Sequence, residues 1–421
     1  MARVAVELTN FTGGELSPRL DGRNDIAKYN SGCKTLENMI VYPHGSASRR
    51  SGTQFVSEVK DSSKKTRLIS FEFSTVQTYM LEFGNQYIRF YKDNGQILSG
   101  GSAYEISSPY LEAELFDIKF AQSADTMYIC HPNHSPRKLT RSGHTSWTLA
   151  DNVIINGPFM DHNIETTTAN PSHKSVGQTT TVTFSAVTGI NGGQGFLSTD
   201  VGRLVHVKDG HFKITSVTST TVVVGTVIID LGISSSTTTD FALGSFSNTS
   251  GFPSCVTFFE QRLVFAGTIA QPQTIFFSKS GDYENMDDGY HETIADDDAI
   301  VYTIASNQVN AIRFMTSTRT LIIGTAGGEF TVSGGGTDSA VTPTNILIKK
   351  QSNHGSANVD AIAVGNATLF LQRAKRKIRE LAYNFDVDGY VAPDLTILAE
   401  HITESGITQM AYQEEPNSII W

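Results

Sequence analysis

The stretch TYMLEFGNQYIRFYK (residues 78–92) holds two runs of aromatic, aliphatic and β-branched residues on either side of Gly84-Asn85. Short apolar runs bounded by turn residues read as the two strands of an antiparallel hairpin. The same texture recurs along the chain. First strands are TYMLEF (78–83), TMYICH (126–131), QRLVFAG (261–267), RTLIIGT (319–325), ATLFLQ (367–372) and NSIIW (417–421). Second strands follow closely as QYIRFYK (86–92), PRKLTR (136–141), QTIFFSKS (273–280), GEFTVSG (328–334) and RKIRELAY (376–383). A further strand precedes each pair: TRLISFEFS (66–74), FDIKFAQS (116–123), PSCVTFFE (253–260), NAIRFMTS (310–317), VDAIAVGN (359–366) and GITQMAYQ (406–413). Each unit is thus a meander of three or four antiparallel strands.

Spacing turns the meanders into an architecture. With Met80, Tyr128, Leu263, Leu321, Leu369 and Ile419 as equivalents, the intervals are 48, 135, 58, 48 and 50 residues. One interval is long by roughly 85 residues, and the rest match the period of the longer propeller blades. Radially arranged blades bury their faces against neighbours and keep strand edges short. The expectation is an all-β protein with a β-propeller body, its blades falling in 66–151 and 252–421. At the end, Pro416-Asn417 marks a turn and Ser418-Ile419-Ile420-Trp421 opens a strand whose hairpin partner is missing. The last blade therefore reads as incomplete, and the chain as the front piece of a longer protein, with an unsatisfied strand edge near Trp421.

Residues 152–251 fill the long interval with a different texture, poor in charge and rich in Thr and Val. Asn191-Gly192-Gly193 and Asp209-Gly210 read as hairpin turns, and SSSTTTD (234–240) as a flexible return link. This is the expected inserted domain, a small β-barrel or sandwich. Residues 1–65 do not match the blades and read as an arm. Within them Asn24-Asp25 can cap a short helix, DIAKYNSGCKTLENM, with Ile26, Tyr29, Cys33 and Leu36 on one face, although Gly32 weakens it. The stretch SASRRSGTQFV that follows reads as extended.

Composition bounds the function. The 421 residues carry 36 Gly and 12 Pro, which favours strands and tight turns. No run of 18 apolar residues exists, which argues against a helical membrane span, and the first twenty residues lack the apolar core of a secretory signal. Cys33, Cys130 and Cys255 show no metal-type spacing and read as reduced, structural thiols. Net charge is −10. Residues 1–67 hold 11 Lys/Arg and 7 Asp/Glu, a net of +4, so the remainder carries −14. An acidic body does not grip phosphates, but it suits a surface that DNA slides past.

No catalytic constellation emerges. His131-Pro132-Asn133-His134 pairs two imidazoles across a turn with no third ligand near in sequence, so a solvated turn is favoured over a metal site. Asp282, Asp287 and Asp288 with Asp296-Asp297-Asp298 form the densest acidic patch, but they lack the alternating register of a calcium loop. No carboxylate pair is singled out for glycoside chemistry. GGQGFL (192–197) and GTAGGEF (324–330) read as hairpin turns rather than phosphate cradles, because neither leads from a strand into a helix. The strongest basic run places Arg373, Lys375, Lys377 and Arg379 on one face of a strand. It reads as a solvated blade edge, a contact for an acidic neighbouring subunit, or a nucleic-acid contact. Arg49 and Arg50 carry similar alternatives. No catalytic, cofactor or metal residue is expected, and no cofactor.

The N-terminal segment NFTGGELSPRLDGRNDIAKYNSGCKTLENMIVYPHGSASRRSGTQFV (10–56) resembles the opening of the tail nozzle proteins, or tail tubular protein B, of short-tailed bacteriophages. FTGGELSPRLDGRNDIAKY and the C…ENMI…P-G…RR-GT run carry the resemblance. Residues 180–229 look similar to a small β-barrel module inserted in such phage proteins. The resemblance implies a non-enzymatic virion protein, made in the host cytoplasm. It implies a homo-oligomer, a hexameric ring at the distal end of the tail beneath an adaptor ring. Such a ring contacts tail fibres and passes genomic DNA through its channel without reading sequence. A ring of this kind needs head-to-tail contacts that close by rotation. The competing expectation is a carbohydrate-binding or carbohydrate-cleaving propeller used in host adhesion.

Overall fold

The computed structural model of the protein describes residues 7–74, 76–290, 293–305, 310–336, 339–415 and 418–421. The chain divides into two compact units. One comprises Met1–Ser57, Gly324–Glu329 and Lys350–Trp421, the other Glu58–Ile323 and Phe330–Lys349.

The expected meanders form. The first blade runs Arg67–Ser74, Gln77–Gly84 and Tyr87–Lys92, with Glu105–Ser107 and Gly95–Gln96 both paired to Tyr87–Lys92. The second is a four-stranded sheet of Lys119–Ser123, Thr126–His131, His134–Gly143 and Ser146–Asp151 in sequence order. The third is Cys255–Phe259, Arg262–Ala266, Thr274–Phe277 and Ile300–Thr303, again in order. A fourth follows as Ile312–Ser317, Leu321–Thr325, Gly328–Ser333 and Leu347–Ser352, and a fifth as Ile362–Val364, Ala367–Leu371, Ile378–Asn384 and Gly389–Val391.

Side-chain alternation shows that these sheets stack as propeller blades do. In Thr126–His131, Met127 and Ile129 pack with Phe71, Leu81 and Phe90 of the first blade. The intervening Tyr128 and Cys130 pack with Val256, Leu263, Phe265 and Phe276 of the third. A strand presents successive side chains to opposite faces, so the second blade is sandwiched between its two sequence neighbours. The third blade repeats the pattern. Its Val264, Ala266, Ile275 and Phe277 pack with Ile312, Leu321, Ile323, Phe330 and Val332. Burial on both faces explains why these strands are near-continuously apolar rather than alternating. Trp147 closes the first interface, its ring stacked on Phe90 at 4.5 Å and edge-on to Phe71 at 4.8 Å. The fold is all-β with a β-propeller body.

The insert is one six-stranded antiparallel sheet, ordered Ala169–Pro171, Thr179–Phe184, Val222–Val227, Gly210–Ser219, Leu204–Val207, Phe241–Leu243. It curls around its own core of Val182, Phe184, Phe196, Val205, Phe212 and Phe241. Two details differ from the sequence reading. Asn191–Gly193 forms a 3-10 turn, not a hairpin, with Gly192 in the left-handed region. SSSTTTD is not a free link: Thr238 and Ala169 exchange both backbone hydrogen bonds, and the Ser235 N–H donates to Pro171.

The N-terminal segment also departs from expectation. The helix proposed over DIAKYNSGCKTLENM is a five-residue 3-10 turn, Ala27–Ser31, followed by extended Gly32–Cys33 paired in parallel with Gly14–Glu15. The cause is steric. A Cβ on Gly32 would lie 2.4 Å from Leu16 Cδ1, so the chain uses Gly32 for close approach rather than for a helical turn. Met39–Val41 and Ala47–Arg49 form a hairpin. At the other end, Tyr412–Gln413 pairs with Ile419–Ile420, and Ala411 and Trp421 exchange hydrogen bonds of 2.9 and 2.8 Å. One edge of the terminal strand is thus satisfied by the strand before it. The Pro416-Asn417 turn lies outside the described residues.

Candidate functional site

The tract TGGELSPRL (12–20) is wired into its unit residue by residue. Gly13 sits where a Cβ would meet Lys28 O at 2.8 Å and Gly32 N at 2.9 Å, and Gly14 takes φ +66°, which side-chain-bearing residues rarely adopt. Glu15 then bridges two distant segments. Its Oε1 lies 2.8 Å from His401 Nε2, 386 residues away, and its Oε2 accepts the Leu36 N–H at 2.6 Å. The His401 hydrogen bond, followed by the Leu36 N–H, holds the Glu15 carboxyl below its usual range. Leu16 is buried against Gly32, and its N–H donates to Cys33 O. The Ser17 N–H donates to Leu398 O at 2.7 Å, while its hydroxyl accepts the Arg19 N–H as cap of the Pro18–Leu20 turn. Arg19 pairs with Glu400. The arm is therefore docked on its own unit.

This docking borders a groove of about 510 Å³ lined by Ser17, Arg19, Arg376, Lys377, Glu400 and Glu404 among others. Part of the basic run reaches it, but not as a strand face. The strands stop at Leu371 and resume at Ile378, and Gln372–Lys377 forms the turn between them, with Lys375 at φ +61°. Left-handed backbone at Lys375 breaks the two-residue alternation that would align Arg373, Lys375, Lys377 and Arg379. Lys377 Nζ instead meets Asp394 at 2.8 Å. Arg379 donates to Gln372 Oε1 and Ala392 O, and Arg376 pairs with Glu404 at 3.3 Å. In the arm, Arg50 Nε donates to Asn38 Oδ1 at 2.8 Å. Arg49, Arg373 and Lys375 are exposed, with no side-chain hydrogen bond or ion pair among the described residues. Of the six basic residues singled out in the sequence, these three are left available to a partner.

Asp296, Asp297 and Asp298 of the acidic patch lie in a folded turn. Asp298 holds Lys279 at 2.7 Å and caps the Ala295 N–H, while the Asp296 and Asp298 carbonyls accept from buried Arg262. The carboxylates stabilise backbone rather than forming a calcium register.

His131 and His134 do acquire a third neighbour, which sequence reading missed because it lies 20 residues upstream of His134. The two histidines face each other across the Pro132-Asn133 turn, and Glu114 Oε2 lies 2.9 Å from His134 Nε2. His131 is 2% exposed, so the turn is not solvated as expected. The Asn133 N–H donates to His131 Nδ1 at 3.2 Å, which leaves the single proton of a neutral ring on Nε2. That nitrogen offers a proton rather than a lone pair, and the group is poorly prepared for a metal.

No protein-family model matches the chain, and no curated protein matches it. Among solved structures it is similar to a crystal structure of a protein from Lactobacillus plantarum, at 11% identity and TM-score 0.34, over 76% of this chain and 82% of that one. It is also similar to the β-propeller domain of Myceliophteria thermophila Cps50 (Swd1), at 8% identity and TM-score 0.32, over 75% of this chain and 82% of that one. At these scores the likeness carries no argument, and the blade-to-blade packing above carries the propeller assignment.

Proposed function

We propose that the protein is a non-enzymatic structural subunit of a phage virion, a distal tail or nozzle component that assembles into a sixfold ring through which DNA leaves. The observation that carries this reading is the TGGELSPRL tract with its downstream C…ENMI…RR-GT run. Gly13 makes a close approach to Lys28 and Gly32, Gly14 takes a positive φ, Glu15, Leu16, Ser17 and Arg19 each contact their own unit, and Pro18 sits at the first turn position that suits it. The tract is thus an architectural signature of the arm rather than a reactive one. The exposed cations Arg49, Arg373 and Lys375 give the ring subunit-facing charge that complements the acidic remainder of a neighbour. The acidic surplus keeps passing DNA from adhering.

Native mass spectrometry of the purified chain, with electron microscopy of the same sample, tests the reading. Six-copy rings with a central channel are expected. A monomer at tens of micromolar, or specific turnover of a glycoside, ester or nucleotide lost on substituting Asp287 or Asp297, overturns it.

A further inference from the structure

The inserted sheet has one apolar face and one that is not. Val205, Val207, Phe212, Phe241 and Leu243 point into its core. Alternation sends the positions between and beside them, His206, His211 and Asp240, to the opposite face. In the ladder His206 stands directly across from His211 on one side and from Ala242 on the other. Along the free edge of Phe241–Leu243 runs the segment Phe159–Asn163, with Phe159 bridged to Gly244. It is tied down by the Met160 N–H to Leu243 O and the Asn163 N–H to Phe241 O, both 2.8 Å. The segment delivers His162, whose Nδ1 lies 2.9 Å from Asp240 Oδ1.

One ligand atom from each of His162, His206 and Asp240 lies within 4.8 Å of the others. Aromatic rings wall the cluster. Tyr290 stacks on His162 at 3.7 Å and 12°, and Phe159 sits 5.3 Å from His206 and 5.6 Å from His211. His206 and His211 are 5% and 3% exposed. His211 Nε2, buried on the same face, has no hydrogen-bond partner among the described residues. Two imidazoles that sequence holds 44 positions apart, and a carboxylate 34 further on, converge because His206 on Leu204–Val207, Asp240 just before Phe241–Leu243 and His162 on the segment along that strand's edge meet on one side of the sheet.

We propose that His162, His206 and Asp240 bind a divalent transition ion, zinc foremost, which fastens the Phe159–Asn163 segment to the edge of the inserted sheet. Nitrogen and oxygen ligands at about 2.0–2.2 Å around a tetrahedral ion stand roughly 3.3 Å apart. The observed cluster closes to that geometry with side-chain adjustments on the order of 1 Å. Imidazole ligation selects zinc, copper or nickel over calcium and magnesium, which take oxygen. The aromatic walls limit water and strengthen the ion's hold on the carboxylate. Three protein ligands leave the fourth position to water.

Cobalt(II), a spectroscopic stand-in for zinc, tests this on the whole chain after chelator treatment. Binding of one Co2+ per chain is expected, with the intense visible bands of tetrahedral coordination, displaced by Zn2+. Asp240→Asn and His162→Gln should each weaken it on the order of 100-fold. Both substitutions keep a hydrogen-bonding side chain of similar size, and the metal-free unfolding transition verifies that each variant is folded. His134→Gln, in the other histidine cluster, should leave the bands unchanged. If Asp240→Asn does not fold, His162→Gln decides. Wild-type protein without the bands, bands that persist in the folded variants, or bands lost in His134→Gln overturn the proposal.

Discussion

The inserted domain contains a charged pair, Asp200 and Arg203, with no exposed side-chain surface at all, and it gives the sharpest test of how that domain is held. Arg203 Nη1 reaches Asp200 Oδ1 at 2.8 Å and Asn191 Oδ1 at 2.7 Å, while Nε donates to Gly244 O at 2.7 Å. Asp200 Oδ2 accepts from Asn191 Nδ2 at 2.7 Å and from the Leu197 N–H at 2.9 Å. Asp200→Ala strips the acceptor from all three donors and leaves a buried guanidinium unneutralised. Removing one partner of a buried pair costs about 3–5 kcal/mol, a large share of the ~5–15 kcal/mol that holds a domain folded. The insert has neither Trp nor Tyr, and both Trp residues, 147 and 421, lie outside it, so its unfolding can be read separately. Amide exchange in peptides covering Val182, Val205 and Val223 should accelerate about 100-fold to a few thousand-fold, at 1.4 kcal/mol per decade. The Trp fluorescence transition should stay in place. Asp200→Ala with Arg203→Met removes the stranded charge and should recover most of the loss. A single-variant cost below ~1 kcal/mol, the size of an ordinary hydrogen bond, or a double variant worse than the single, would refute the reasoning.

Gly32→Ala forces a methyl into Leu16 and should destabilise the docked arm by about 1–3 kcal/mol, read as faster exchange of the Leu16 amide; adding Leu16→Ala should relieve part of it. Because the folded Glu15 carboxyl titrates below its usual range, its contribution to arm docking is fully present above that range and is lost as pH falls from it through the lowered folded value. Glu15→Gln should flatten this dependence in an acid titration followed by exchange of the Leu36 amide, and an unchanged profile would assign it elsewhere. Pro158 O and the Ser245 N–H are 2.8 Å apart, so replacing residues 160–243 with a short Gly/Ser link should leave the Trp147 unfolding transition cooperative. A broadened or vanished transition would make the insert part of the propeller core.

Sequence by itself determined most of the blade strands, though not every turn or strand end, and that a block of different texture interrupts a period near 50. Those follow from side-chain chemistry acting over a few residues, such as the apolar runs of Thr126–His131 and Arg262–Ala266. The packing that makes Met127 and Tyr128 serve different interfaces was implicit in alternation and became definite once neighbouring sheets supplied the partners. Sequence did not determine the fate of the basic run, because the left-handed backbone at Lys375 depends on the hairpin that Gln372 and Lys377 close. Nor did it pair Glu15 with His401, bring Glu114 to His134, or gather His162, His206 and Asp240. Each of those contacts joins residues tens to hundreds of positions apart, and tertiary structure alone decided them. Loop closure over such separations has little sequence signature of its own, since its entropy cost grows only slowly with length, and the strand pairings that meet that cost fix which side chains arrive together.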